Sequence, residues 1–373
     1  MELYIHIPFC KSKCAYCDFN SYAECDKGTM FSYLAALNRE IEYAGKAYDK
    51  CVINTVYIGG GTPSLLDAKQ IATIAENINK NFYCDIKEFT IECNPESVTE
   101  EKLEAYKACG INRISLGVQS LDDNNLQSVG RIHTAKQAIE KLVLVGKYFD
   151  NISADLIVGL PYDTMDIIKS EVDTIAPLVS HISMYELSVE DGTPLSKKVK
   201  EGSVLLPDDD ETQSLFEIAM ETACKHGFKR YEISNFAKDG LISKHNYGYW
   251  TREQYLGLGA GAHSYVRTSN GVSKLPNELR FASPKDLHQY IAGINCVDAF
   301  DKIPRAEISV LDENSIYEEK VMLGLRTYEG IDKKLITGKN IDDLSTFFDD
   351  KDGRIILNDK GMAVMNSIVL RLI

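Results

Sequence analysis

Cys10-Lys11-Ser12-Lys13-Cys14-Ala15-Tyr16-Cys17 sets three cysteines at C-x3-C-x2-C spacing near the start of the chain. Three thiolates can hold three irons of a cubane iron–sulfur cluster. No further cysteine falls before Cys25, so the fourth iron is left without a protein ligand and is free to bind a small molecule. Cysteines can also serve as small buried apolar residues, and zinc in a structural site wants four protein ligands, for which no second C-x2-C pair is present. The neighbours favour the cluster. Tyr4-Ile5-His6-Ile7-Pro8-Phe9 reads as a short strand stopped by a proline. The triplet therefore opens a loop at the C-terminal end of a strand, where parallel α/β folds carry their sites.

Outward from this loop, apolar runs alternate with helical patterns. Strands are expected over Leu3–Ile7, Asn54–Ile58, Glu88–Glu92, Arg113–Val118, Ile152–Val158 and His181–Leu187. Between them, Ala135, Ala138, Ile139, Leu142 and Val143 recur at helical spacing and mark one buried face of a helix over Thr134–Tyr148. Thr99 is a suitable N-cap, followed by Glu100 and Glu101 in the first turn. Six strand–helix units imply a parallel sheet with right-handed crossovers. They are too few for a closed eight-stranded barrel, so the expectation is an α/β fold of the open, partial (β/α)6 TIM-like kind over residues 1–233. Residues 234–283 are rich in Gly, Ser, Asn and Tyr and read as a loop-rich extension closing the barrel mouth. Residues 284–373 read as a small C-terminal domain of winged-helix type, with helices over Glu318–Thr327, Ile341–Asp349 and Lys360–Leu370 and a strand over Arg354–Leu357.

The bulk numbers bound the function. Net charge is −14, which repels phosphate backbones, so no nucleic acid is expected as a partner. The acidic wing region (Asp349, Asp350, Asp352) points the same way. No apolar run reaches the ~20 residues that cross a bilayer, and Cys10 lies too close to Met1 for a cleaved signal peptide. A cytoplasmic protein with reduced cysteines is expected, which favours metal ligation over disulfides. Cys25, Cys51, Cys84, Cys93, Cys109, Cys224 and Cys296 show no ligand spacing and read as free thiols.

Other candidates sit at the ends of the expected strands. Gly59-Gly60-Gly61-Thr62-Pro63 lets a ligand approach the main chain and can hold the ammonium or carboxylate of an amino acid. Glu92 can accept hydrogen bonds from ribose hydroxyls, and Gln119 follows the same logic. Arg131 can grip a carboxylate with two prongs. Asp155 can bind adenosine or a second ligand. Each of these also reads plainly as a structural ion pair, a solvated carboxylate or a tight turn.

The cysteine triplet and the glycine run together resemble the radical S-adenosylmethionine (SAM) superfamily. That resemblance implies SAM chelating the open iron of a [4Fe–4S] cluster, with an electron from the cluster breaking a carbon–sulfur bond to give a 5′-deoxyadenosyl radical. Tyr4 through Cys17, the glycine run, Glu92, Gln119, Arg131 and the Asp155 strand resemble the coproporphyrinogen III dehydrogenase branch over nearly the full chain. Carried over residue by residue, Tyr4, Gly60, Glu92, Gln119, Arg131 and Asp155 match its SAM-contacting positions, with Gly61 and Thr62 beside them. Tyr16 stands at the place of the usual aromatic next to the last cluster cysteine.

One departure redirects the reading. The dehydrogenase carries a fourth cysteine two residues after the third, and this chain has Phe19 there. Cys17-Asp18-Phe19-Asn20-Ser21, with His245-Asn246-Tyr247-Gly248-Tyr249-Trp250 downstream, is similar to the HemW-type haem chaperones. This resemblance implies haem as cargo, client haemoproteins (membrane respiratory enzymes among them), an electron donor, and a cytoplasmic protein that meets the membrane peripherally through its client. His245 is then a candidate axial ligand to haem iron, with Asn246 in the motif and Tyr249 and Trp250 able to stack on the macrocycle. The structural alternative is that the motif pins a glycine-rich loop. His6, His133 and His181 read as oriented or core histidines, and His263 lies in a second glycine-rich turn. Two other functions stay open on the sequence: coproporphyrinogen III oxidation, which Phe19 disfavours, and an interaction protein with a purely structural cluster.

Overall fold

The computed structural model describes residues 1–267, 278–339 and 341–373. Strands β1 (Glu2–Ile7), β2 (Val52–Gly60), β3 (Tyr83–Cys93), β4 (Arg113–Gln119), β5 (Ile152–Val158) and β6 (His181–Glu186) pair in chain order, each parallel to the one before. The chain returns between them through α1 (Lys27–Ala47), α2 (Ala68–Asn81), α3 (Glu100–Ala108), α4 (Asp123–Ser128), α5 (Ala135–Val145) and α6 (Met165–Ile175). Thr99 caps α3 as expected, its hydroxyl accepting from the Lys102 N–H at 3.3 Å.

Side-chain alternation along these strands divides the fold into two compartments. Leu3, Ile5 and Ile7, Val56 and Ile58, Ile114, Leu116 and Val118, and Ile182 and Met184 belong to one continuous apolar core beneath the helices. The residues between them, including Tyr57, Glu92, Arg113, Ser115, Asp155 and Ser183, line the inside of the barrel. The interior is therefore polar, and the helices cover the apolar face.

The extension corrects the sequence reading. After α7 (Pro194–Lys200) and α8 (Asp209–Lys225), strands β7 (Lys229–Arg230) and β8 (Asn235–Ala237) continue antiparallel beyond β6. Residues 234–267 are not mainly loop. They carry helix α9 (Lys244–Trp250), strand β9 (Tyr255–Leu258) and strand β10 (His263–Arg267), while 268–277 lie outside the described residues. β9 pairs parallel with β1, and β10, β11 (Glu278–Ala282) and β12 (Glu307–Val310) follow antiparallel. Among the described residues the sheet is twelve-stranded and open, in the order β12-β11-β10-β9-β1-β2-β3-β4-β5-β6-β8-β7. The glycines here serve close packing. A Cβ on Gly257 would overlap the main chain of His263 in the adjoining strand.

Helix α9 sits at the floor of the barrel, where the strands begin, and not at its mouth. The Lys244 and His245 N–H groups donate to the Glu88 carboxylate at 2.9 and 3.1 Å, so an anion meets the free donors of a helix start. Burial pushes the Glu2 carboxyl up to about 9, so it packs beside Gly248 as the neutral acid.

The expected boundary at residue 284 also moves. Helix α10 (Leu287–Asn295) packs on α1, and Leu287, Tyr290, Ile294, Phe300 and Ile303 belong to the main core. A second core begins with α11 (Glu313–Gly324). It contains β13 (Ile331–Asp332), β14 (Phe348–Lys351) and β15 (Arg354–Leu357), paired antiparallel in the order β13-β15-β14, then α12 (Asp359–Ala363) and α13 (Met365–Leu372). The helix expected over Ile341–Asp349 is a 3-10 segment, Asp342–Phe347, running into β14. Ser345 and the β-branched Thr346 are weak helix formers, and the aromatics Phe347 and Phe348 suit a strand. This small domain backs α9. The Arg326 guanidinium lies 4.6 Å from the Trp250 ring centroid, and Tyr247 meets Tyr328 at 5.9 Å. No described helix is long and apolar enough to cross a membrane.

The α5 stripe is rotated from the expected one. Ala138, Leu142 and Val145 are buried, whereas Val143 is 48% exposed.

Gly257→Ala forces a methyl group into a strand contact with no room for it. Chemical denaturation should show a loss of about 1–3 kcal/mol or more. An unchanged midpoint would mean that β9 and β10 are not held this closely.

Candidate functional site

The C-terminal ends of the six parallel strands surround a cavity of about 500 Å³. The sequence-predicted residues Cys10, Cys14, Tyr16, Cys17, Gly60, Gly61, Thr62, Glu92, Gln119, Arg131 and Asp155 all line it. They come from five strand ends and loops far apart in the chain.

The cysteine loop is fastened on two sides. The Gly61 N–H donates to the Ile7 carbonyl at 2.9 Å, and the Thr62 N–H to the Phe9 carbonyl at 2.8 Å. The Ala15 N–H donates to the Val129 carbonyl at 2.9 Å, and the Ala15 carbonyl accepts from the Leu195 N–H at 2.8 Å. A Cβ on Gly61 would lie 2.9 Å from Cys10 Sγ and 2.8 Å from the Phe9 carbonyl oxygen, so only glycine fits. Gly60 has φ +123°, and its added Cβ would meet the His6 ring at 2.7 Å. His6 donates from Nε2 to the Asn20 carbonyl at 2.9 Å and accepts at Nδ1 from the Tyr4 hydroxyl at 2.9 Å, tying β1 to the loop.

Two donors reach the cysteine sulfurs. Arg131 Nη1 is 3.5 Å from Cys14 Sγ, and the Thr62 hydroxyl is 3.6 Å from Cys10 Sγ. Such contacts orient metal ligands. Among the described residues no group of three or more His, Cys, Asp or Glu converges to hold a single metal ion. A cubane presents a different iron to each thiolate, so it asks for a wider triangle, and the donor set fits a cluster.

The acidic residues stand opposite. Glu92 accepts from the Tyr57 hydroxyl at 2.8 Å and from the Gly60 N–H at 3.0 Å. Burial pushes its carboxyl up to about 7, opposed by the Tyr57 hydrogen bond and reinforced by the Asp155 charge. Asp155 is also raised by burial, while hydroxyls of Ser183, Ser115 and Ser153 and the Arg113 charge pull it back. Gln119 takes φ +69° at a break in the β4–β5 register, which turns its side chain into the cavity.

Several lining residues are not singled out by the sequence, and three of them organise the site. Asn94 donates to Thr62 Oγ1 at 3.1 Å and accepts from Arg131 Nη2 at 3.0 Å, joining the glycine run to the arginine. Tyr57 holds Glu92. Arg113 lies deep in the barrel, and its buried Nε and Nη1 have no hydrogen-bond partner among the described residues. The polar alternation Arg113, Ser115, Gly117, Gln119 was the available signal for the last.

The downstream motif is dispersed. His245 is 0% exposed, with Nδ1 2.8 Å from the Thr55 hydroxyl and Nε2 2.8 Å from the Tyr249 hydroxyl. Both ring nitrogens are occupied, so the expectation of an axial ligand is not met in this arrangement. Asn246 lines the main cavity, Tyr249 lines an adjoining cleft that also holds Tyr4, and Trp250 faces Arg326 on the far side of α9. Trp250 is thus not placed to stack on a ligand of the cavity. His133 and His181 are buried and hydrogen-bonded, to Val118 O and to Ser153 and Tyr231 respectively, as core residues. The seven remaining cysteines are free thiols.

The sequence profile of the radical SAM superfamily matches residues 4–175. The heme chaperone HemW of Bacillus subtilis is 36% identical over 350 residues, covering 91% of this chain and 88% of its own. The chain belongs to the HemW family of radical SAM proteins. The HemW protein of Lactococcus lactis is 33% identical and covers 98% of this chain and 95% of its own. A solved structure of the coproporphyrinogen III oxidase HemN from Escherichia coli aligns with a TM-score of 0.81 at 20% identity, over 100% of this chain and 89% of that one. That likeness establishes the fold. The open partial barrel and the HemW resemblance read from the sequence are borne out.

Gly61→Ala pushes a methyl group between the glycine run and Cys10. After anaerobic reconstitution, bound iron and sulfide should fall to well under half of the wild-type content while the circular dichroism spectrum is retained. Full iron content would show that the two loops do not need this contact.

Proposed function

We propose that this protein carries a SAM-ligated [4Fe–4S] cluster on Cys10, Cys14 and Cys17 and acts as a haem chaperone, binding haem and delivering it intact to client haemoproteins. The observation that carries this reading is the 33–36% identity to HemW proteins named as heme chaperones, extending over nearly the whole chain. Phe19 supports it. It is 70% exposed at the place where the dehydrogenase branch has its fourth cysteine. When bound, the cluster and SAM supply one-electron chemistry at the sulfonium. The residues of this chain hold and orient them. The Gly60–Thr62 backbone and Arg131 receive the methionyl end, Glu92 accepts from the ribose hydroxyls, and Tyr4, Tyr16, Gln119 and Asp155 complete the adenosine side. We place the protein in the cytoplasm, receiving electrons from a separate donor and meeting membranes only through a client such as a respiratory enzyme.

Transfer of intact haem breaks no carbon–carbon bond. Haem-loaded protein should therefore pass haem to an apo-haemoprotein without consuming SAM. In parallel, anaerobic protein given coproporphyrinogen III, SAM and a reductant should form no protoporphyrinogen. Steady appearance of protoporphyrinogen would replace this reading with the oxidase.

Glu92 also gives a pH dependence. Its carboxyl is half-protonated near 7, and the protonated form loses acceptor capacity toward the ribose. SAM affinity should weaken as pH falls through about 7, approaching about tenfold per unit below it. Calorimetric titration across pH 6–8 reads this slope, and Glu92→Gln should flatten it. An unchanged slope in that variant would assign the proton to another group.

A further inference from the structure

A cleft of about 630 Å³ opens beside the main cavity, along the side where β1 meets the β9–β12 extension. It shares Gly60 and Glu92 with the main cavity, so the two spaces adjoin at the site proposed for SAM. Four aromatic rings line it: Tyr4, Phe19, Tyr249 and Tyr255. Tyr249 and Tyr255 stand edge to face with centroids 4.6 Å apart. A cleft of this size with this lining suits a large flat apolar ligand.

The lining also includes His263 and Lys285. The seven histidines of the chain can be compared one by one. His6, His133, His181, His226 and His245 each have at least one ring nitrogen hydrogen-bonded. His288 lies on α10, away from the cleft. His263 is exposed, and its imidazole makes no hydrogen bond among the described residues. It is the histidine that can offer a ring nitrogen to a metal in this cleft without breaking an existing bond.

Resting on the chaperone reading above, we propose that this lateral cleft is the haem site, with His263 as the iron ligand. The rings of Phe19, Tyr249 and Tyr255 pack against the macrocycle, and the Lys285 ammonium pairs with a propionate. The motif His245-Asn246-Tyr247-Gly248-Tyr249-Trp250 then contributes to haem through Tyr249. His245 is a positioning residue that holds the Tyr249 hydroxyl at 2.8 Å. The arrangement also gives Phe19 a role, since a cysteine there would replace an apolar wall with a thiol.

The test is titration of the full chain with ferric haem, followed by absorption and paramagnetic resonance spectra of the haem iron. His263→Ala should weaken binding by about tenfold or more and change the iron's ligand signature. His245→Ala should weaken binding while leaving that signature as in wild type, and Lys285→Glu should do the same. His288→Ala should change neither. If wild type binds haem and His263→Ala leaves spectrum and affinity unchanged, or if His245→Ala alone alters the ligand signature, the inference fails and the chaperone reading stands. If wild type binds no haem in any titration, the chaperone reading itself fails.

Discussion

The contact between the glycine run and the cysteine loop governs the rest of the site. Two main-chain hydrogen bonds, from Gly61 to Ile7 and from Thr62 to Phe9, dock the end of β2 on the end of β1. Neither Gly60 nor Gly61 has room for a methyl group on that side. The approach fixes three things together: the position of Cys10, the exposed backbone that faces a ligand's amino-acid end, and the carboxylate of Glu92, which Gly60 holds through its N–H. A single side chain larger than hydrogen would separate them.

Around this contact the barrel manages an unusual burden of buried polarity. An interior lined by Tyr57, Glu92, Arg113, Ser115 and Asp155 costs desolvation that apolar burial elsewhere must offset. The cost is reduced locally. Serine hydroxyls serve Asp155, Tyr57 and a backbone N–H serve Glu92, and the first N–H groups of α9 serve Glu88. Arg113 is the exception, a buried cation whose Nε and Nη1 have no hydrogen-bond partner among the described residues, within the fields of Glu88 and Asp155. Polar groups held in this way are already oriented when a charged ligand arrives.

The sequence made the barrel and its upper rim readable because those features are local. Cysteine spacing, a glycine triplet and a polar residue at each strand end need only a few neighbouring residues to be recognised, and the strand over Ile152–Val158 was read to the residue. The extension was not readable, because β9 earns its place by pairing with β1 some 250 positions away, and Gly257 and Gly259 look like turn residues until the adjoining chain is seen. The α5 face was misread by about one position because Ala135–Val143 and Ala138–Val145 differ only by a small rotation of the apolar stripe. The His245–Trp250 motif reads in the sequence as a ligand with stacking rings beside it. Its residues lie on a short helix, which aims adjacent positions about 100° from each other and brings those three or four apart to neighbouring places. His245 and Tyr249 meet for that reason.

The plug made by α9 has a last consequence. Glu88, Thr55 and Glu2 grip it from inside and Arg326 and Tyr328 press from outside, so among the described residues α9 fills the bottom of the barrel. Asp18 and Phe19 border both the upper cavity and its neighbour at the other end. Two occupants held across that border would each form part of the other's wall.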